Sequence, residues 1–319
     1  MIILGDQLER LCSEGKGEIL LVAPFIKTAV LNRLLLKISD NVKICCITRW
    51  RPEEILCGVS DLEVWHLIKE RKNAILLLRP DLHAKYYRID NQCLIGSANL
   101  TATALGWSNN PNLELLISSE KNNPQLESFE KVMLDGCVQV DESIFKELAN
   151  VVLLMRENHF VPPLTIEDTG LGLEEFSNET TIPAESWIPT LRNPEDLYLA
   201  YCGRGQDLST IAQKNASADL LMLRVIPALS KDAFKSYVGS LLLQKSIIRR
   251  VDSFLATPQR FGAVSALLCS LPCANISGFN ADIAWQTLMR WLIYFLPHRY
   301  KRSVPRHSEI FSRISPETR

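Results

Sequence analysis

The first 120 residues alternate between short apolar runs and stretches with apolar residues three and four positions apart. The apolar runs predict strands at residues 18–26, 42–50, 74–78, 84–89, 92–95 and 113–118. The other pattern predicts helices at residues 28–38, 62–71, 124–135 and 141–157, with Thr28 as a candidate N-cap. Asp90-Asn91 is typical of a tight turn between adjacent strands. Early alternation followed by adjacent strands predicts an α/β fold, a mixed sheet flanked by helices on both faces.

Beyond residue 195 the strand pattern disappears, and the spacing of apolar residues favours helices throughout. The helices are predicted at residues 207–214, 218–226, 231–255, 258–271 and 282–296. We therefore expect an all-helical C-terminal domain, followed by a partly ordered tail from His298 to Arg319.

The length of 319 residues favours two domains. We predict a first domain at 1–157, an acidic, proline-containing linker at 158–195 and a basic helical domain at 196–319. The net charge of −1 hides this division, because residues 151–200 carry two basic and nine acidic residues, whereas residues 201–319 carry 16 and seven. Such a basic half is typical of a polyanion-binding module, although solvated helix faces or a protein-binding surface would have the same composition.

Composition favours a folded protein, with 47% hydrophobic and 22% charged residues. No apolar stretch reaches the roughly 20 residues that a membrane-spanning helix needs. Asp6 and Glu9 interrupt the N-terminal segment where a secretory signal would be apolar, so a cytoplasmic location is expected. The nine cysteines form an odd set and favour reduced thiols. Cys269 and Cys273 have a spacing compatible with a metal, but core packing is the favoured interpretation, and no metal or cofactor is expected.

The most informative segment, residues 82–101, contains His83-x-Lys85, then Asp90, and then Gly96-Ser97-x-Asn99. Side chains two positions apart on a strand point to the same face, so His83 and Lys85 can address one phosphate together. Asn99 can approach from the neighbouring strand, where Gly96 permits close backbone contact.

These residues match HxKxxxxD followed by GSxN and resemble the phospholipase D superfamily, within the subgroup of small nucleases that carry the motif once. The resemblance implies that His83 attacks phosphorus to form a phosphohistidine, while Lys85 and Asn99 stabilise the phosphoryl oxygens and Ser97 adds a hydrogen bond. It also implies that Glu114 orients the histidine and that Asp90 and Gly96 are structural residues of the motif.

Two further cations lie at the ends of predicted strands and are candidate contacts for the substrate phosphate. Arg49 lies in the Arg49-Trp50-Arg51 segment that ends the second strand, and Lys27 follows the first strand. The alternative is that both are ordinary surface residues.

The chemistry requires one histidine to attack and another to protonate the leaving oxygen. His66, His159, His298 and His307 lack an HxK context, so the second histidine is expected from another copy in a two-fold homodimer. The favoured function is a metal-independent phosphodiesterase that cleaves DNA or RNA, in the manner of restriction or phage-defence nucleases. The alternatives are a phospholipid hydrolase or phosphatidyl transferase and a non-catalytic interaction subunit, with 196–319 as the surface for a protein partner.

Overall fold

A computed structural model describes residues 3–158, 183–304 and 309–314. The chain divides into two compact units, Met1–Val152 and Leu153–Arg319. Within the described residues, no helix is both long enough and apolar enough to span a bilayer.

The first unit is a mixed sheet with helices on both faces, as the sequence predicts. Its strands are β1 (Glu18–Val22), β2 (Lys43–Thr48), β3 (Ala74–Leu78), β4 (Lys85–Ile89), β5 (Gln92–Gly96), β6 (Leu116–Glu120) and β7 (Val138–Gln139). Its helices are α1 (Leu4–Glu14), α2 (Thr28–Leu35), α3 (Pro52–Leu56), α4 (Val64–Lys69), α5 (Pro124–Asp135) and α6 (Glu142–Glu157), the last of which crosses the division between the units. Helix α1 has no counterpart in the sequence prediction, and Thr28 begins α2 instead of capping it, because Lys27 is the N-cap.

The sheet has the order β6-β5-β4-β1-β2-β3-β7. Strands β1, β2 and β3 are parallel, whereas β4, β5, β6 and β7 each pair antiparallel with their neighbours. The central strands are nearly continuous apolar runs because both faces of the sheet are covered. On one face Val22, Ile47 and Tyr86 pack with Met133 and Phe129 of α5.

The second unit contains α7 (Asp196–Tyr201), α8 (Thr210–Leu223), α9 (Lys231–Leu243), α10 (Ser246–Phe254), α11 (Phe261–Cys269) and α12 (Ala281–Phe295). The single helix predicted at 231–255 is therefore two helices, separated where Lys245 adopts an extended backbone.

The prediction that the second unit is all-helical is wrong. Strands β8 (Gln259–Arg260), β9 (Tyr300–Ser303) and β10 (Ile310–Arg313) form an antiparallel sheet in the order β8-β10-β9. Two of them arise from the segment predicted to be a tail. Strands of two to four residues are too short to show a period of two, and the β8–β10 pairing joins segments about fifty residues apart.

Most of the predicted acidic linker, residues 159–182, lies outside the described residues, together with His159 and His307. The folded part of the second unit begins before residue 196, because Trp187, Ile188 and Leu191 are buried. All nine cysteines are described, and none forms a disulfide.

Candidate active site

The two halves of the motif meet at one edge of the first sheet. Lys85, the first residue of β4, lies opposite Gly96, the last residue of β5. His83 precedes one strand and Asn99 follows the other, so the antiparallel pairing brings them to the same edge. The residues after β1 and β2 and before β6 reach this edge too, because of the strand directions.

Lys85 is turned back toward His83. Its ammonium Nζ donates a hydrogen bond to the His83 carbonyl oxygen at 2.9 Å. The His83 side chain is exposed and that of Lys85 is half-buried. His83 lies in the segment before β4 and not on the strand, so the expectation that both side chains project from one strand to the same face stays a prediction.

Gly96 is needed because the backbone of the next strand passes very close to it. A Cβ at this position would lie 1.8 Å from the Leu115 carbonyl oxygen. The same approach lets the Ser97 N–H donate to that oxygen at 3.0 Å. The glycine of the motif therefore sets the β5–β6 spacing at the edge.

Ser97 and Glu114 form a short hydrogen-bonded pair. The Ser97 hydroxyl donates to Glu114 Oε2 and accepts the Leu115 N–H at 3.1 Å. Asn112 Nδ2 donates to the other carboxylate oxygen at 3.2 Å. Glu114 is thereby fixed at the edge, beside the loop that carries Asn99.

The amide of Asn99 is oriented by the backbone after β1. The Phe25 N–H donates to Asn99 Oδ1 at 3.3 Å, which leaves Nδ2 as the donor. Within the part of the chain that the structure describes, no hydrogen bond occupies Nδ2. The amide is therefore held by its acceptor while its donor can serve an anionic ligand.

Arg49 lies just after β2 and is buried, and its expected contact with the substrate phosphate stays a prediction. Its side chain is 2% exposed, pairs with Glu54, and donates from Nη1 to the Leu82 carbonyl at 3.1 Å. Arg51 reaches the Pro80 carbonyl at 3.4 Å. The two arginines after β2 therefore hold the segment that leads into His83, a positioning role that the sequence did not indicate.

Lys27 lies on the edge after β1 but is paired there. Its ammonium binds the Asp61 carboxylate in a short contact and the Gly58 carbonyl at 2.9 Å. Asp61 also accepts the Thr28 N–H at 2.8 Å. Asp61 was not predicted, because it is 34 residues away and carries no motif. In this arrangement Lys27 joins the start of α2 to the loop between α3 and α4.

Asp90 lies at the opposite end of the hairpin from His83. Its carboxylate accepts the backbone N–H groups of Lys16, Gly17 and Glu18, each at 2.9 Å. Burial raises the pKa of Asp90, but the three N–H donors outweigh it, so the pKa lies below its ordinary value. Its φ of 51° shows the left-handed backbone that a tight Asp-Asn turn uses.

The described residues contain no cluster of metal-ligating side chains. No group of three or more histidine, cysteine, aspartate and glutamate side chains in residues 3–158, 183–304 and 309–314 could hold a metal ion. His66, on α4, packs edge-on against Phe145 with ring centroids 4.9 Å apart.

No family model and no curated protein sequence matches the chain. Among solved structures, it is similar to NucT from Helicobacter pylori, with 15% identity and a TM-score of 0.34, covering 42% of this chain and 89% of that one. It is also similar to TrmBL2, an archaeal chromatin protein with a novel mode of DNA binding, at 15% identity and a TM-score of 0.29, covering 41% of this chain and 47% of that one. Both likenesses are weak and span less than half of this chain.

Proposed function

We propose that the chain is a phosphodiesterase that cleaves nucleic acid at the sheet edge carrying His83. The observation that supports this most is the meeting of His83, Lys85, Ser97, Asn99 and Glu114 at that edge through strand pairing alone. A nitrogen nucleophile, an ammonium and an amide donor suit attack on phosphorus and stabilisation of its equatorial oxygens.

In the proposed reaction, an imidazole nitrogen of His83 attacks phosphorus, and the bond from phosphorus to the leaving oxygen breaks. A second histidine gives its proton to that oxygen. Water then attacks the phosphohistidine and loses a proton to the second histidine, which frees His83 and returns both groups to their starting states. Lys85 Nζ and Asn99 Nδ2 donate to the phosphoryl oxygens in both steps, which is the charge stabilisation a divalent ion supplies elsewhere.

The second histidine comes from a second copy of the chain. The segment around Glu114 supports this arrangement, because Leu113, Leu115 and Ile117 are 97%, 63% and 55% exposed beside the site. They lie on or next to β6, the outermost strand of the sheet. A second copy seated here would cover this apolar stripe and bring its own His83 toward the first one.

Cleavage of single- and double-stranded DNA and RNA in excess EDTA tests the activity. We expect wild-type protein to cleave nucleic acid, His83→Ala to lose at least about 10³-fold in rate, and His66→Gln to retain activity as the matched histidine control. A His83→Ala rate within a few-fold of wild type would overturn the assignment. Activity that is lost in EDTA and restored by magnesium or zinc, or cleavage of a phosphatidylcholine reporter alone, would also contradict it.

Sedimentation and mixing experiments test the shared site. Leu115→Glu should give an inactive monomer, while Leu36→Glu, at a 77% exposed leucine elsewhere in the unit, should leave the dimer intact. Mixing His83→Ala chains with wild type should lower activity per wild-type chain, because each mixed dimer lacks one histidine. A fully active wild-type monomer would rule out the dimer.

A further inference from the structure

The basic residues of the second unit are concentrated around α10 and the small β8-β10-β9 sheet. The cations there are Arg249, Arg250, Arg260, Arg299, Lys301, Arg302 and Arg313. Among the described residues of these elements and their immediate flanks, only Asp252 and Glu309 are acidic. Glu309 already forms a short ion pair with Arg302.

At the centre of this region, one buried carboxylate is shared by three guanidinium groups. Arg299 donates to Asp252 from Nε and Nη2, both at 2.7 Å, and the Tyr300 hydroxyl donates at 2.6 Å. Arg249 and Arg313 approach Oδ2 of Asp252 at 3.3 and 3.5 Å. These four charged side chains sum to +2. We call Asp252, Arg249, Arg299 and Arg313 the arginine cluster.

The members of the arginine cluster differ in what they can offer a ligand. Arg299 is 4% exposed and occupies both carboxylate oxygens with short hydrogen bonds, so it is committed to Asp252. Arg313 is 28% exposed and has the longest of the three contacts. It stands at the end of β10, directly opposite Tyr300 of β9, where its position is set by the sheet. A fork of donors held this way suits a tetrahedral anion.

The surroundings extend the positive surface. Arg302 lies opposite Phe311, two residues before Arg313, so it projects from the same face of the sheet as Arg313. Lys301 and Arg260 lie opposite Ser312 and Ile310 and project from the other face. Arg290 and Arg302 line a cavity of about 250 Å³ between α12 and this sheet. An isolated phosphate would need only one group of cations, whereas a row of cations matches the repeated charges of a polynucleotide backbone.

We infer that the arginine cluster is a phosphate-binding site for the nucleic-acid backbone, with Arg313 and Arg249 as the contacting groups and Arg302 and Arg290 continuing the track. This inference rests on the proposed nuclease function for its choice of ligand. Because such contacts go to phosphates, the site holds substrate without reading its sequence.

The test measures binding of a fluorescent single-stranded DNA and a duplex by anisotropy, from low to high salt, with full-length protein carrying His83→Ala to prevent cleavage. Adding Arg249→Gln and Arg313→Gln should weaken binding about ten-fold or more at low salt and reduce the slope of log Kd against log salt by about one to two. Arg204→Gln is the matched control, because Arg204 is an exposed arginine of the same unit paired with Asp207, and it should change neither value.

Amide hydrogen exchange in α10 and β10 shows whether the variants fold. If the double variant does not, Arg313→Gln alone replaces it, because its contact with Asp252 is the longest. Replacing both arginines by lysine should restore most of the affinity by restoring the charge. Binding and salt dependence equal to those of Arg204→Gln would overturn the inference, as would a failure of the parent protein to bind either DNA. Cleavage by the wild-type protein is assayed separately. If wild type cleaves nucleic acid and the arginine variants bind DNA as tightly as the parent protein, only the phosphate-binding site is refuted and the proposed nuclease function stands.

Discussion

The open edge of the first sheet and the interior of the second unit hold their polar groups in different ways. At the edge of the first sheet, His83, Lys85 and Ser97 are exposed or half-buried, and backbone pairing brings them together. In the second unit, Asp219 and Asp252 are each 1% exposed or less and are surrounded by donors. The polar groups at the open edge are those of the proposed active site, whereas the buried carboxylates of the second unit are held by donors within the fold.

The two buried aspartates also differ from each other. Asp219 accepts the Thr190 and Leu191 N–H groups and the Trp187 indole, and no ion pair reaches it within the described residues. Burial therefore dominates and raises its pKa to about 7. Burial also raises the pKa of Asp252, but the arginines facing it outweigh that effect, so its pKa lies below the ordinary value.

The largest expected effect on stability comes from removing the carboxylate of the arginine cluster. Asp252→Ala leaves Arg299 buried without its partner and should lower the free energy of unfolding of the second unit by about 3–5 kcal/mol. Asp207→Ala, which breaks an exposed pair with Arg204, should cost less than about 1 kcal/mol. Hydrogen exchange of peptides from each unit measures the loss in unfolding free energy. Similar losses for Asp252→Ala and Asp207→Ala would show that the buried carboxylate stabilises the fold no more than an exposed one.

A backbone change should be nearly as costly at the open edge. Gly96→Ala places a Cβ against the Leu115 carbonyl, so we expect a loss of about 3 kcal/mol and of activity, because the β5–β6 spacing must widen. In the second unit, Gly262→Ala meets no atom within 4 Å and should be neutral or stabilise α11 by up to about 1 kcal/mol. Thermal unfolding of both variants checks this, and a stable, active Gly96→Ala protein would show that the edge is not tightly packed.

A smaller effect should appear with pH. The folded-state pKa of Asp219 is about 7 against an ordinary value of 3.8, so the folded state binds this proton more tightly than the unfolded state. The stabilisation of the folded state by protonated Asp219 is fully present below about pH 4 and is lost as pH rises toward 7. Asp219→Asn should remove this part of the pH dependence, measured as unfolding free energy of the second unit from pH 4 to 8. An unchanged profile would show that Asp219 does not titrate in this range.

The smallest effect on stability should come from Asn99, a side chain of the proposed active site at the open edge. Asn99→Asp keeps an acceptor for the Phe25 N–H but replaces the Nδ2 donor with a negative oxygen. We expect the unfolding free energy to change by less than about 1 kcal/mol, while the cleavage rate falls by about 10²–10³-fold. A rate close to that of wild type would show that Asn99 is not part of the site and would leave Lys85 as the donor to the phosphoryl oxygens.

Much of the first unit could be predicted from the sequence because its strands and helices are long enough to show their periods. The bounds of β1 to β5 lie within four residues of the predicted ones, and β3 and α5 match their predictions. Strand β6, at Leu116–Glu120, begins three residues later than the predicted strand at 113–118. The exposed apolar residues Leu113 and Leu115 precede the strand and are not part of the sheet. In the second unit, β8, β9 and β10 were not predicted because they are too short to show a pattern of their own.

The sequence alone determined the alternation of strands and helices in the first unit, the residue types of the motif and the basic excess of the second half. Only the tertiary structure decided that Arg49 turns inward to Glu54 and Leu82, that Lys27 pairs with Asp61, and that Asp252 lies among three arginines. The physical reason is the distance along the chain between the residues that interact. Periodicity and turn chemistry act over a few neighbouring residues, whereas the environment of a charge depends on side chains from distant segments that packing brings within a few ångströms.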